Sequence, residues 1–190
     1  MPPILLFVFN GRLSRLKAQS SSMAHSHPTT ESKILALEQI IQLAEEWRSK
    51  GQSIVFTNGC FDLVHLGHID YLEKARQLGD KLIVGLNTDK SIRQIKGPGR
   101  PIVNEYARAR LLAALQFVDV VTLFKESTPL DIIKALQPNV LVKGGDYTTD
   151  TIVGADFVLH NGGSVRNIPF IEGYSTTNLI ETIQTNGNHD

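Results

Sequence analysis

The stretch of sequence that decides the fold is residues 53–68, SIVFTNGCFDLVHLGH. Its first part, residues 53–57, is a short apolar run of the kind that forms a buried strand. Gly59 then stands in a turn, and His65 to His68 open the next helical pattern. Glycine permits a sharp turn or a close approach of the backbone to a ligand, and the free amides of a helix start favour an anion. The stretch therefore predicts a strand, a ligand-binding turn and a helix.

Short runs rich in Val, Ile and Leu recur along the rest of the chain, separated by helical patterns. A parallel sheet covered on both faces requires this alternation, because each crossover helix buries one face of the sheet. We predict an α/β, three-layer, Rossmann-like fold with about five parallel strands. The predicted strands are residues 53–57, 81–86, 118–124, 140–142 and 164–169. The predicted helices are residues 33–50, 68–78, 89–95, 104–116, 129–136, 150–161 and 176–184.

The composition predicts one domain that binds a small ligand. Nineteen basic residues balance nineteen acidic ones, so no net field attracts nucleic acid or a membrane surface. We expect one domain over residues 33–190, preceded by a disordered or leader segment over residues 1–32. The apolar run near the start comes before its positive charges, the reverse of a signal peptide, so we expect a cytoplasmic protein. The single cysteine, Cys60, excludes an intramolecular disulfide.

His65 and His68 are the strongest candidates for chemistry. Three residues apart at a helix start, their imidazoles can face the same spot. As a phosphorus centre passes through five coordination, charge grows on its oxygens, and positioned hydrogen-bond donors then contribute most. Two other interpretations compete, a pair of core histidines and a pair of metal ligands. Zinc needs three or four ligands, and no third His or Cys stands at useful spacing.

The motif Gly59-Cys60-Phe61-Asp62 followed by His65-Leu66-Gly67-His68 resembles the signature of the cytidylyltransferase-like HxGH nucleotidyltransferases. Further matches occur in the order expected of one subfamily, the adenylyltransferases acting on D-glycero-β-D-manno-heptose 1-phosphate, which are often fused to a sugar kinase. These matches are Lys96-Gly97, Arg100-Pro101, Val118-Asp119, VKGGDY at residues 142–147 and EGYSTTN at residues 172–178. The similarity spans roughly residues 33–183.

The resemblance implies transfer of AMP from ATP to a sugar 1-phosphate, with Mg²⁺ accompanying ATP. It implies His65, His68 and Lys96 as catalytic residues, and Asp62 and Asp146 as contacts to substrate or metal. It also makes a homodimer an expectation, because members of the family are often dimers. The implied nucleotide-binding residues are Thr57, Asn58, Gly59, Cys60, Phe61, Gly67, Arg108, Lys143, Gly144, Ser175, Thr176 and Thr177.

Several of these residues also have an ordinary structural interpretation. Lys96 and Arg108 could be solvated surface charges, and Asp146 could cap a turn. The hydroxyls of residues 175–177 could be helix caps instead of a second phosphate cradle. Cys60 is interpreted as a small packing residue and not as a nucleophile, because no general base is implied beside it.

Other functions remain open at this point. Within the class, the chain could transfer CMP or AMP to another phosphorylated alcohol, such as glycerol 3-phosphate or a flavin. Phe170 counts against a cytidylyltransferase, because the glycerol-phosphate enzymes carry an arginine at that position. From another class, the chain could be a nucleotide-binding regulator without turnover. A dinucleotide-binding dehydrogenase and a P-loop kinase are disfavoured, because neither G-x-G-x-x-G nor G-x-x-x-x-G-K-[ST] occurs.

Overall fold

The computed structural model describes residues 29–145 and 148–186 and contains one parallel sheet of five strands. The strands are β1 (Ile54–Gly59), β2 (Lys81–Asn87), β3 (Val120–Phe124), β4 (Val140–Gly144) and β5 (Ser164–Ile168). The helices are α1 (Leu37–Ser49), α2 (Leu66–Arg76), α3 (Asp89–Lys96), α4 (Glu105–Ala113), α5 (Leu130–Leu136), α6 (Ala155–His160) and α7 (Thr176–Asn186). Two short 3-10 segments, Thr30–Lys33 and Thr149–Thr151, accompany them.

Helices cover both faces of the sheet because the strands are apolar on both sides. Along β1, Val55 packs into the core beneath α2 and α4, whereas Ile54 and Phe56 pack into the core beneath α1, α5 and α6. All three side chains are fully buried. This is the burial expected of a parallel sheet between two helical layers, and it confirms the predicted fold class.

The strand order, β3-β2-β1-β4-β5, places the site. The chain builds outward from β1 to β3, then crosses over to add β4 and β5 on the other side of β1. The reversal of direction lies between β1 and β4, where Val55 is paired with Val140. In open parallel sheets a crevice forms beyond the carboxyl ends of the strands at such a reversal, and ligands bind there.

The predicted elements agree with the observed ones except near residues 33–36 and near residue 154. The helix predicted over residues 33–50 begins only at Leu37, because residues 30–33 form the first 3-10 segment and Ile34 pairs with Val121 of β3. The sequence pattern predicts one helix over residues 150–161, whereas the structure has the 3-10 segment Thr149–Thr151 and then α6. Gly154 separates them with φ of +86°, a left-handed conformation that no α-helix continues through.

In the described part of the chain, no helix is both long and apolar enough to cross a membrane. Of the predicted disordered or leader segment, residues 1–28 lie outside the described residues. Residues 29–32 are ordered instead, because they belong to the capped 3-10 segment and Glu31 pairs with Arg110 of α4.

Candidate active site

A cleft of about 480 Å³ opens at the carboxyl ends of the strands. Ten of the residues implicated by sequence line it together. They are residues 58–62, His68, Lys96, Lys143, Gly144 and Thr176. These residues come from β1 and the loop after it, α2, α3, β4 and α7, so the fold gathers positions more than a hundred residues apart into one site.

The turn of residues 59–68, here called the histidine turn, brings the two imidazoles together. The rings of His65 and His68 stack with centroids 3.9 Å apart and planes 21° apart. His68 lines the cleft and also packs against Phe61, with ring centroids 5.1 Å apart. The Nδ1 atoms of both histidines are buried and have no hydrogen-bond partner among the described residues. Buried polar atoms are nearly always satisfied, so two adjacent unsatisfied ring nitrogens mark a place that is completed by a ligand or by water.

Both imidazoles are uncharged near neutral pH. Burial, with a smaller effect from neighbouring His65, lowers the pKa of His68 to about 4. Burial also lowers the pKa of His65. A neutral imidazole carries one N–H donor and one acceptor nitrogen, so the two rings can hydrogen-bond a phosphate without bringing a buried charge. His68 also has a hydrogen bond with the backbone of Leu63, which opposes the lowering of its pKa.

Two glycines give the histidine turn its shape. A Cβ on Gly59 would lie 2.9 Å from Cε2 of Phe61, and a Cβ on Gly67 would lie 3.1 Å from the His65 ring. Phe61 itself has φ of +44°, a conformation that costs energy for a residue with a side chain. The sequence predicts both glycines as points of close approach or sharp turning. Their closest neighbours are the aromatic rings of the turn itself, and for Gly67 also Cβ of Tyr174 at 3.3 Å.

Arg108 supports the histidine turn from behind. Its side chain is fully buried, and Nη1 donates to the carbonyl of Cys60 at 2.6 Å. Nη2 donates to Asp89 Oδ1 at 2.7 Å and Nε to the carbonyl of Val103 at 2.9 Å. All three guanidinium nitrogens are thus engaged by protein atoms. This geometry gives no support to the direct nucleotide contact expected from sequence, and it fits a positioning residue instead.

Asp62 is held in the same manner, as an anchor. Its Oδ2 accepts from Arg100 Nε at 2.6 Å, and its Oδ1 accepts from the backbone amides of Ile102 and Val103 at 2.8 and 2.9 Å. Burial alone would raise the pKa of Asp62, but these hydrogen bonds outweigh it and lower the pKa. A carboxylate so fully engaged and only 1% exposed does not suit the metal or substrate role implied by the resemblance. Asp146, the other acidic candidate, lies outside the described residues.

Lys143 and Cys60 both line the cleft. Lys143 Nζ donates to Asn58 Oδ1 at 3.3 Å, and burial lowers the pKa of Lys143. Burial raises the pKa of Cys60 against the effect of nearby Lys96 and Arg108. The thiol is therefore protonated at neutral pH, which agrees with its interpretation as a packing residue.

Five residues expected to bind nucleotide do not line the cleft, namely Thr57, Gly67, Arg108, Ser175 and Thr177, and neither does the predicted catalytic residue His65. Thr57 is fully buried, and its hydroxyl is hydrogen-bonded to the hydroxyl of Tyr71, which does line the cleft. Ser175 Oγ accepts from the backbone N–H of Asn178 at 3.0 Å, so this hydroxyl caps the start of α7. Thr177 is exposed. Only Thr176 of the three hydroxyl residues at this helix start lines the cleft.

Several residues that line the cleft were missed by sequence reasoning. They include Tyr71, Asn87, Arg100, Ser127 and Thr128, whereas Phe170, which also lines the cleft, was considered in the sequence only as evidence against a cytidylyltransferase. Arg100 stands in a loop that carried a usable signal, its place in the matched pair Arg100-Pro101. Asn87 ends an otherwise apolar strand, and a polar residue at a carboxyl strand end was the overlooked signal.

Comparison with known proteins now identifies the family. The family model of cytidylyltransferase-like proteins matches residues 56–182, which include the whole histidine turn and the start of α7. The chain belongs to the cytidylyltransferase-like family of nucleotidyltransferases. This confirms the resemblance predicted from the HxGH motif. The match also covers β1 through β5 almost completely, so it concerns the entire sheet and not the motif alone.

Similar proteins of this family include longer ones. The bifunctional protein HldE of Syntrophotalea carbinolica is 52% identical over 162 residues, which are 85% of this chain and 33% of that protein. The HldE of Geotalea uraniireducens is 50% identical over 165 residues, 87% of this chain and 34% of that protein. The chain therefore spans about a third of the length of these relatives. A crystal structure of the lipopolysaccharide core biosynthesis protein from Thermoplasma volcanium is similar at a TM-score of 0.52 and 29% identity, covering 66% of this chain and 100% of that one.

Proposed function

We propose that this chain transfers AMP from ATP to a sugar 1-phosphate and releases pyrophosphate. The observation that carries the proposal is the neutral His68 ring in one cleft with the side chains of Lys96 and Lys143. An uncharged N–H donor suits the reacting phosphate, and lysine side chains suit the rest of a triphosphate. The motifs after β4 and before α7 favour D-glycero-β-D-manno-heptose 1-phosphate as the sugar phosphate. The HldE relatives, about 50% identical, support this choice within the family.

In the proposed reaction, an oxygen of the sugar 1-phosphate attacks the α-phosphorus of ATP. A new P–O bond forms, the bond from the α-phosphorus to the bridging oxygen breaks, and its electron pair leaves with pyrophosphate. His65 and His68 donate hydrogen bonds to the α-phosphate oxygens as charge accumulates there. Lys96 and Thr176 contact the β- and γ-phosphates. The chain needs no covalent intermediate, because positioning and charge stabilisation suffice for this displacement.

Arg108 acts in this proposal by holding the histidine turn in place. Its hydrogen bonds to the carbonyls of Cys60 and Val103 and to Asp89 join the turn to α3 and to the loop before α4. A displacement of the donors by even one ångström lowers the rate of a positioned reaction considerably. Arg108 is therefore needed for the geometry of His68 although it does not reach the substrate.

Mg²⁺ enters the proposal as part of the substrate MgATP. The described residues contain no group of three or more His, Cys, Asp or Glu side chains that could hold a metal ion. Asp62 already accepts hydrogen bonds at both of its carboxylate oxygens. Magnesium in phosphoryl-transfer sites usually binds through substrate phosphates, water and one or two carboxylates. We therefore assign the ion to the phosphates of ATP, with Asp146 as the candidate carboxylate from sequence.

A substrate panel tests the proposed function. Purified protein is supplied with Mg²⁺ and either ATP or CTP, combined with either D-glycero-β-D-manno-heptose 1-phosphate or glycerol 3-phosphate. We expect pyrophosphate release only with ATP and the heptose phosphate, together with an ADP-sugar of the corresponding mass. Turnover with CTP and glycerol 3-phosphate instead would overturn the proposal in favour of a cytidylyltransferase. Binding of ATP without pyrophosphate release from any pair would identify a nucleotide-binding regulator.

A further inference from the structure

The two ends of the cleft differ in chemistry. At the end formed by β4 and β5, the cleft is lined by Tyr71 and Phe170, whose rings meet edge to face with centroids 6.0 Å apart. At the opposite end, formed by β2 and β3, it is lined by Asn87 and by the exposed hydroxyl residues Ser127 and Thr128. His68 lies between these two ends, on helix α2, which follows the central strand β1. An aromatic end and an amide-and-hydroxyl end suit two different substrates.

Asn87 is the most buried polar side chain at the β2 end. It is the last residue of β2 and is only 5% exposed. Its Nδ2 donates to Ser91 Oγ at 3.0 Å, and Ser91 Oγ donates to the backbone carbonyl of Glu126 at 3.3 Å. Ser91 is itself fully buried in the first turn of α3. The amide is therefore held between a strand end and a helix start, and not by solvent.

This hydrogen-bond chain decides which face of the amide points to the ligand. A carbonyl oxygen can only accept, so the Glu126 carbonyl requires the single hydroxyl proton of Ser91. Ser91 Oγ must then accept from Asn87, which fixes Nδ2 as the atom facing Ser91. The remaining atom, Oδ1, has no hydrogen-bond partner among residues 29–145 and 148–186. Asn87 lines the cleft, and Oδ1 is the atom of its amide that does not face Ser91.

An acceptor held in this orientation selects its ligand. Phosphate oxygens are acceptors too, and they would be repelled by Oδ1 of Asn87. A sugar hydroxyl is a donor and would complete the amide's hydrogen bonds. Because the amide is nearly buried, a ligand lacking that hydroxyl leaves a costly unsatisfied acceptor. We propose that Asn87, oriented by Ser91, is a specificity-determining residue that accepts a hydrogen bond from a hydroxyl of the sugar phosphate.

This inference rests on the proposed function and specifies which end of the cleft takes the sugar. The sugar ring lies at the β2 and β3 end, against Asn87, Ser127 and Thr128, with its phosphate directed toward His68. The nucleotide occupies the other end. Ser91 touches no substrate and is a positioning residue acting through Asn87.

Steady-state kinetics of Asn87→Ala test the proposal. We expect the KM for the sugar 1-phosphate to rise about 10-fold, the cost of one buried hydrogen bond, with the KM for ATP changed less than about twofold. Asn161→Ala, which removes an exposed asparagine side chain at the end of α6, is the matched control and should change neither constant. An equal rise in both constants, or no rise in either, would overturn the assignment.

The variant Ser91→Ala provides a second, independent test of the proposal, which remains available if Asn87→Ala does not fold. Loss of the Ser91 hydroxyl frees the amide to rotate, so we expect the sugar-phosphate KM to rise about threefold with the KM for ATP unchanged. In the double variant this increment should disappear, because Ser91 acts only through Asn87. A Ser91→Ala effect of the same size in both backgrounds would refute the positioning role. Absence of any wild-type turnover with sugar phosphates would instead reject the proposed function, so the two failures are distinguishable.

Discussion

The histidine turn and helix α7 both reach the cleft, yet they are held by different means. The turn is fixed by buried polar contacts: Arg108 donates to the Cys60 carbonyl, and Asp62 accepts from Arg100 and two backbone amides. Helix α7 buries none of its residues, and its start is held by the cap from Ser175. The side of the cleft that carries the histidines is thus rigid before substrate arrives, whereas the side that carries Thr176 is only locally ordered. Rigid donors favour the transition state, and a loosely packed helix is free to adjust to a triphosphate.

Removal of the His68 ring tests the rigid side most severely. We expect His68→Ala to lower kcat by about 10² to 10⁴-fold with the fold retained, because a positioned transition-state donor is lost. Initial rates of pyrophosphate release at saturating ATP measure the effect, and circular dichroism checks the fold. His160→Ala, at the exposed end of α6, is the matched control and should leave kcat unchanged. Near-normal turnover in His68→Ala would end the assignment of the histidine turn as the reacting centre.

Loss of Arg108 tests whether the buried contacts hold the turn. Arg108→Met leaves Asp89 and two carbonyls without their partner, so we expect the free energy of unfolding to fall by about 3 kcal/mol. Urea denaturation measures it. Arg110→Met, two residues along α4, removes a partly exposed arginine paired with Glu31 and should cost less than about 1 kcal/mol. An equal loss of unfolding free energy in the two variants would show that the buried contacts of Arg108 stabilise the fold no more than a surface ion pair does.

The strands and Arg108 differ in how well they can be predicted from the sequence. Strand positions follow from runs such as residues 81–86, whose apolar pattern is local, and all five were predicted. Arg108 lies on a helix where an arginine normally faces solvent, and its partner Cys60 is 48 residues away in sequence. Its burial is a product of tertiary packing, so no local pattern carries it. The place of Asn87 at a strand end was a local signal, but the orientation of its amide depends on the carbonyl of Glu126, which is distant in sequence.

The burial of His68 predicts that the folded protein loses stability at acidic pH. Since the pKa of His68 is lowered from 6.5 to about 4, the unfolded state binds a proton more readily, and stability falls as pH drops below about 6.5. Between pH 7 and pH 5 we expect this residue to contribute a loss of about 2 kcal/mol. Unfolding measured at both pH values in the wild type and in His68→Asn isolates the contribution, which the variant should lack. Titration of the His68 ring by NMR should show no protonation above pH 5, and a midpoint near 6.5 would contradict the account.

Helix α7 should show the smallest effect, and a local one. Ser175→Ala removes the cap at its start, which costs about 1 kcal/mol of helix stability. Because α7 buries no residue, this loss should leave the global free energy of unfolding nearly unchanged and instead speed hydrogen exchange of the α7 amides about fivefold. The KM for ATP should rise a few-fold with the sugar-phosphate KM unaffected, since Thr176 is presented by this helix start. Thr182→Ala, which removes a mid-helix hydroxyl bonded to the Asn178 carbonyl, is the control and should alter neither exchange at the helix start nor the KM for ATP. If Ser175→Ala lowered the global stability as much as Arg108→Met, α7 would be as firmly integrated as the histidine turn, and the difference between the two sides of the cleft would not exist.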